Sequence, residues 1–335
     1  MAEPMTIGNV TIHPGEIKRG TIPVATDIRG YARDIPIIVV HGAHDGPRLW
    51  LNGATHGDEP EGTFSIFMAL QELNPQTLRG TVVGVPALNV EAFAAGKRGD
   101  PLDSFTYDMN RCYPGKADGY PTERVAFAHW KAMKDNCDLQ IAIHSGGEHS
   151  FLSHMTFAHD NAASHELAAA LGPDWKLVFI SPTGGANPSA MVGNLGKGGI
   201  TVELGGNCRT LTRDFHDVSR ELADGYLNVM RHYNMIDGTA QYAKQWQMGY
   251  QIALLAPATG MFVGNRDLEF ETLLPAGTLL GQIYNLYGKV IAEIQAPREG
   301  LVFGLRSRPA VLEGEWCCFF GVIERVVDNL IPARG

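Results

Sequence analysis

Cysteine is scarce in this chain of 335 residues, and the few present form no framework. Cys112, Cys137, Cys208, Cys317 and Cys318 are odd in number and include no C-x-x-C pair, which excludes a disulfide scaffold and fits buried thiols in a reducing compartment. Basic residues are also in deficit: 27 Lys and Arg against 36 Asp and Glu give a net charge of -9. A nucleic-acid partner, which needs a basic face, is therefore not expected. No run approaches the roughly 18 apolar residues of a membrane span, so no membrane partner is expected either. The opening segment MAEPMTIGNVTIHPGEIKRG contains no apolar leader core, and the cytoplasm is the expected location. Low-complexity segments are lacking too.

What is present has two textures. From about Pro36 to Tyr242, short apolar runs alternate with stretches of helical spacing. PRLWLNGATH, TVVGVPALN, DLQIAIHSGG and ITVELGG read as buried strands that end in Gly, Asn or His. EGTFSIFMALQEL, TERVAFAHWKAMK, SHELAAALG and DVSRELADGYLNVMRHY read as helices. This alternation predicts an α/β domain, a sheet flanked by helices, with ligands at the carboxyl ends of strands. The segment up to DIPIIVV predicts an antiparallel edge. From about Gln251 the helical period stops, and short strands with a pseudo-repeat, APATGMF and APREGLVF, predict a small all-β domain. The expected division is 1–247 and 248–335.

The chemistry-bearing residues sit at the predicted strand ends. His56 and Glu59, as H-x-x-E in LNGATHGDEPEG, can aim an imidazole and a carboxylate at one point where a strand turns into a helix. A catalytic zinc takes three protein ligands, His2Glu being one set, and DLQIAIHSGG offers His144 as the third. Glu203, closing the apolar run ITVELGG, is costly there without a role and is the candidate general base; a plain structural acid stays open on pattern alone. The loop GKRGDPLDSFTYDMNRCYPG carries Arg98, Asp108, Asn110 and Arg111. Arg can clamp a carboxylate or stabilise a developing oxyanion, and a solvated surface loop is the plainer reading.

HGDE, DMNR-x-x-PG, IHSGG and VELGG, in this order, resemble the succinylglutamate desuccinylase/aspartoacylase family, a branch of the zinc carboxypeptidase-like hydrolases. The resemblance spans most of the chain, and the HSGG form with a long β region is similar to the family's bacterial deacylase-like branch. It implies a mixed central sheet flanked by helices and a barrel-sandwich-like C-terminal region. It also implies one Zn2+ per subunit on His56, Glu59 and His144, with Glu203 as the base. Asn110 and Arg111 would hold a substrate carboxylate, and Arg98 would polarise the scissile carbonyl. The implied reaction is hydrolysis of the amide bond of a small N-acyl amino acid, with a zinc carboxypeptidase as the rival; homo-oligomerisation stays open. Met109 stands where the family often has Leu.

Other signals are set aside. His144, His149, His154 and His159 recur every five residues, a period that matches no helix or strand face. GNLGKGG lacks the ending of a phosphate loop and is read as framing the substrate entrance. Lys197 within it is read as solvated, and Asp58 as orienting a ligand. Glu61 is read as favouring a helix N-terminus. Lys289 lies between the AP-x-x-G repeats without the flanking residues of a biotin or lipoyl site, so no attached group is expected.

Overall fold

The computed structural model describes residues 2–181, 185–207 and 213–331. The chain opens with a hairpin, β1 (Met5–Ile7) and β2 (Val10–Ile12), then β3 (Glu16–Ile22), β4 (Ile35–His41) and β5 (His44–Asn52). Next come α1 (Glu61–Gln71), β6 (Arg79–Val85), α2 (Val90–Ala95), a 3-10 turn at Met109–Arg111, α3 (Pro121–Met133) and β7 (Leu139–His144). β8 (Ser150–Ala158), α4 (Ala162–Ala169), β9 (Leu177–Ile180), α5 (Pro188–Gly193), β10 (Gly198–Gly206) and α6 (Arg213–His232) follow. The remainder is strand: β11 (Trp246–Leu255), β12 (Gly260–Gly264), β13 (Leu273–Leu274), β14 (Leu279–Tyr284), β15 (Val290–Gln295), β16 (Gly300–Arg306), β17 (Ala310–Val311) and β18 (Trp316–Val327). No described helix is long and apolar enough to cross a membrane.

One sheet of 12 strands, ordered β13-β16-β18-β11-β9-β8-β10-β7-β5-β6-β4-β3, runs through the molecule. It is mixed, as expected. β6, β5, β7 and β10 are parallel, while β4 and β3 form the antiparallel edge. Side-chain alternation along each strand assigns the two faces. Leu49, Leu51, Ile141, Ile143, Ile200, Val202 and Leu204 face a core shared with α1, α4 and α6. Trp50, Val83 and Val85 face the other way, into a core shared with α3 and the β1–β2 hairpin. Helices on both faces give three layers in this part of the chain. α1 forms because Ile66, Ala69 and Leu70 fall three and four residues apart on its buried face.

The C-terminal strands do not stand apart from this sheet. β11 pairs in parallel with β9 and antiparallel with β18, so the expected boundary at 247/248 falls inside a strand. β16 pairs with β18 and also with β8, where Gly304 lies opposite Leu152. These pairings close β8, β9, β11, β18 and β16 into a ring. A separate sheet, β15-β14-β12-β17, packs on its outer side through Phe262, Leu280, Ile283, Cys318 and Phe320. The two AP-x-x-G segments explain themselves here. Each carries the chain between the two sheets, from β11 to β12 and from β15 to β16, and each buries its alanine, Ala256 and Ala296. Lys289 is exposed just after the turn of the β14–β15 hairpin.

Candidate active site

Three parallel strands, β5, β7 and β10, end on one side of the sheet, and their carboxyl ends carry the predicted residues. His144 closes β7, and Glu203 of β10 is its register partner. Along β10 the odd-even pattern separates roles: Ile200, Val202 and Leu204 are buried in the core, while Thr201 and Glu203 line a cavity on the opposite face. After β5 the chain turns sharply through Ala54, a buried residue at φ 44°, a costly backbone conformation of the kind concentrated at functional sites. Gly57 follows His56 because α2 lies directly against it; a Cβ there would meet the carbonyl carbon of Ala92 at 2.0 Å. The turn delivers His56 and Glu59 beneath His144.

The three side chains converge. One potential ligand atom from each of His56, Glu59 and His144 lies within 4.8 Å of the others, and all three residues are buried. His56 Nδ1 is 2.8 Å from Glu59 Oε1, and His144 Nδ1 is 2.7 Å from Glu59 Oε2. The two Nδ1 atoms face each other at 3.1 Å. Two imidazole nitrogens and a carboxylate aimed at one point are the donor set of a metal site.

Partners on the far side fit that reading. Asp108 Oδ1 accepts from His56 Nε2 at 3.0 Å, which in the neutral imidazole makes Nδ1 the lone-pair nitrogen, facing Glu59 and His144. Asn110 places its amide 3.5 Å from His144 Nε2, and Asn110 Oδ1 is a buried oxygen with no hydrogen-bond partner among the described residues. Turning that amide over puts the oxygen on His144 Nε2–H and frees Nδ1 in the same way.

The loop bearing Arg98, Asp108, Asn110 and Arg111 is a built structure rather than a solvated excursion. Met109 is fully buried, and Tyr113 OH lies 2.7 Å from Nδ1 of His129, whose Nε2 accepts from Trp50 Nε1 at 3.0 Å. Burial holds His129 down to about 3, so it is neutral. Asp108 also accepts from Arg98 Nη2 at 2.9 Å, and Arg98 Nη1 lies 3.8 Å from Glu59. Asp108 thus ties Arg98 to His56. Arg111 is exposed at the cavity, donates to the Asn110 carbonyl at 3.0 Å and makes no ion pair among the described residues.

Electrostatics divide the acids. Burial raises Glu59, but the charges of His56 and His144 outweigh it and hold the carboxyl below its usual range. Burial likewise opposes ionisation of Asp108, and the bond from His56 with the Arg98 charge overcomes it. Burial lowers His56 while Glu59 and Asp108 raise it further; His144 is lowered, its burial prevailing over Glu59. Among the described residues Glu203 makes no hydrogen bond or ion pair of that kind. Dense surroundings and the Glu59 charge push it well above the usual carboxylate value, opposed by Arg98. A carboxyl poised to hold a proton beside a deprotonated one is how two acids acquire different roles.

Several expectations need correction. Asp58 accepts from Glu148 N at 3.1 Å, and a bond that orients His56 comes from Asp108. Glu61 does more than favour the start of α1. Its carboxylate accepts from Ser145 Oγ at 2.7 Å and Gly206 N at 2.9 Å, binding together the segments just past His144 and Glu203. Lys197 is not solvated: it donates to the carbonyls of Lys134 at 2.9 Å and Cys137 at 2.6 Å. GNLGKGG leads into the amino end of β10, away from the strand end that carries Glu203, so it does not frame an entrance. Cys112, Cys137, Cys317 and Cys318 are free thiols; Cys208 lies outside the described residues.

The catalytic-domain model of the succinylglutamate desuccinylase/aspartoacylase family matches residues 45–233, which include His56, Glu59, Arg98, Asn110, Arg111, His144 and Glu203. The chain belongs to that family. A curated relative, the N-alpha-acetyl-L-2,4-diaminobutyric acid deacetylase of Halomonas elongata, is 27% identical over 325 residues, covering 92% of this chain and 91% of its own. Among solved structures, a succinylglutamate desuccinylase from Silicibacter sp. superposes with a TM-score of 0.81 at 23% identity, covering 96% of this chain and 98% of its own. The product-bound ectoine utilization protein of Ruegeria pomeroyi gives 0.79 at 24% identity, covering 91% and 95%. A metallo-carboxypeptidase from Burkholderia cenocepacia gives 0.50 at 13% identity over 66% of this chain and 65% of its own, a likeness of fold alone.

For this family member the cavity has a second wall that sequence reasoning missed. The cavity, about 710 Å³, extends from the triad to Phe157, Phe179, Phe303, Trp316 and Phe319. The strands β8 and β9 that carry the first two were not read from the sequence. The signal for β8 is the alternation in SFLSHMTFA, which puts Phe157 and Met155 on the face opposite His154.

Proposed function

We propose that this protein hydrolyses the amide bond of a small N-acyl amino acid with the aid of zinc, releasing a carboxylate and an amine. The observation that carries the reading is the register pairing of Glu203 with His144, which sets a further carboxyl, free to accept a proton, beside the converged His56, Glu59 and His144 in one cavity. The nitrogen and oxygen donors fit zinc, and Asp108 and Asn110 fit ligand orientation. When bound there, zinc supplies Lewis acidity for an amide carbonyl and eases deprotonation of water.

The chain's own groups do the rest. Glu203 takes a proton from the attacking water as oxygen adds to the amide carbon, then returns it to the nitrogen as the carbon–nitrogen bond breaks. Arg98, held by Asp108 next to Glu59, offers positive charge to the carbonyl oxygen as it becomes negative. Arg111, exposed at the cavity, receives the substrate carboxylate, with Asn110 beside it. The C-terminal region, residues 248–335, closes the far side through Tyr250, Phe303, Trp316 and Phe319, which favours small substrates over peptides. Free thiols among the described residues support a reducing compartment, the cytoplasm.

Metal analysis combined with Glu203→Gln tests this reading. Purified protein should hold about one zinc per chain. Glu203→Gln should keep the metal while kcat on N-acyl amino acids falls by about 10²–10⁴. Absence of divalent metal, or full activity in the variant, overturns it.

A further inference from the structure

The far wall of the cavity is a continuous run of rings. Trp316 stacks on Phe319 with centroids 4.3 Å apart, Phe319 on Phe303 at 6.0 Å, Phe303 meets Phe179 edge-on at 5.3 Å, and Phe179 meets Phe157 at 5.9 Å. These rings come from four strands of the closed ring, β18, β16, β9 and β8, and all five line the cavity. Phe179 and Phe303 are fully buried, while Phe157, Phe319 and Trp316 keep some exposed surface. The wall begins next to the reacting groups: Met155 is opposite Glu203, and Phe157 opposite Thr201, in the β8–β10 register.

Charge is distributed on one side only. His56, Asp58, Glu59, Arg98, Arg111, His144 and Glu203 belong to the triad side, and His149 to the segment between β7 and β8 that follows His144. Among the described residues, β9, β11, β16 and β18 contribute no acid or base to the lining; their polar contributions are Tyr250 and Gln251. A carboxylate laid on this wall would lose its hydration and gain no partner, and an ammonium would meet only ring faces with no counter-charge. An apolar ring would displace water from apolar surface and meet rings already fixed by their neighbours. The volume, about 710 Å³, falls within the range of about 300–1,000 Å³ typical of pockets for drug-sized ligands.

We propose that the substrate of this enzyme carries a bulky apolar substituent, ring-sized, that lies against Phe157, Phe319 and Trp316, which Phe179 and Phe303 back from behind, while its carboxylate faces Arg111. The inference rests on the amidohydrolase reading for the position of the scissile bond. The substituent can belong to the acyl group or to the amino acid side chain, and the chemistry required is the same.

The test compares zinc-loaded protein on N-acetyl-L-phenylalanine, N-phenylacetylglycine, N-acetylglycine and N-alpha-acetyl-L-2,4-diaminobutyrate. At least one ring-bearing probe should exceed both small probes in kcat/KM by about tenfold or more. Which one does so assigns the ring to the acyl or the amine side. Trp316→Ala and Phe319→Leu, both at partly exposed positions, should each cut the ring-to-glycine ratio by about tenfold. Calorimetry of the same probes on zinc-loaded Glu203→Gln separates this proposal from the one it rests on. If nothing is hydrolysed but a ring-bearing probe binds about tenfold tighter than N-acetylglycine, the reaction is wrong and the subsite stands. If hydrolysis occurs with equal or better use of the small probes, or no probe binds with ring preference, the subsite is overturned.

Discussion

One wall of the cavity is held by ion pairs and hydrogen bonds, the other by ring contacts. The charged wall joins a turn and a loop to two strand ends, His144 and Glu203, and its members fix one another: Asp108 grips His56 and Arg98, and Glu59 bridges both imidazoles. The aromatic wall grows from strands, and sheet register places its rings. The difference follows from what each must do. Ligand atoms need positions correct to fractions of an ångström and charges tuned by neighbours, which side-chain networks supply. A surface that only excludes water needs shape, which close packing on strands supplies.

Breaking the aromatic wall at its centre should have the largest effect on stability. Phe303→Ala removes a fully buried ring that touches two others, and should cost about 3–5 kcal/mol in chemical denaturation. A loss under 1 kcal/mol would show that the wall is not part of the core. Behind this wall stands a charged device. His154, on the opposite face of β8 from Met155 and Phe157, pairs with Glu221 of α6 at 3.0 Å and with Glu271 at 3.4 Å. Lys176 lies 3.5 Å from Glu271.

Burial works against the charge on His154, yet the two carboxylates push it up to about 9. A raised folded-state value means the contribution is complete below about pH 6.5 and fades as pH climbs through 9. Stability should fall by roughly 1–3 kcal/mol between pH 6.5 and 9.5, and His154→Gln should flatten that slope. An unchanged slope in the variant would assign the pH dependence elsewhere.

The charged wall is sharpened by substitutions that spare the fold. Asp108→Asn keeps the shape but removes the charge gripping His56 and Arg98; zinc affinity, measured by chelator competition, should weaken about 10–100-fold. Unchanged affinity would return Asp108 to a loop role. Smallest is Arg111→Gln, which should raise KM for carboxylate-bearing substrates about tenfold and leave kcat within a factor of a few. A fall in kcat with unchanged KM would place Arg111 in the transition state instead.

The contrast between the walls matches what was legible. Glu203 was readable because an acid closing an apolar strand violates the pattern around it, and His56, Glu59 and His144 because they punctuate strand ends. The antiparallel edge and the loss of helices after α6 were equally visible in periodicity. The aromatic residues were not, since an aromatic in a strand is the ordinary case and carries no signal of facing a cavity. The grip of Asp108 on His56 was not legible for another reason: that bond is made across 52 residues.

Sequence alone determined the alternation of strands and helices, the segments that end in the candidate ligands, and the family to which the chain is similar. These depend on local periodicity and on short ordered motifs. Tertiary structure decided which acid grips His56, that Glu61 joins two strand ends, that β16 closes a ring with β8, and that five rings from four strands make one wall. Each of these is a contact between residues far apart in the chain, set by strand register and by the burial of apolar faces, and no local pattern encodes it.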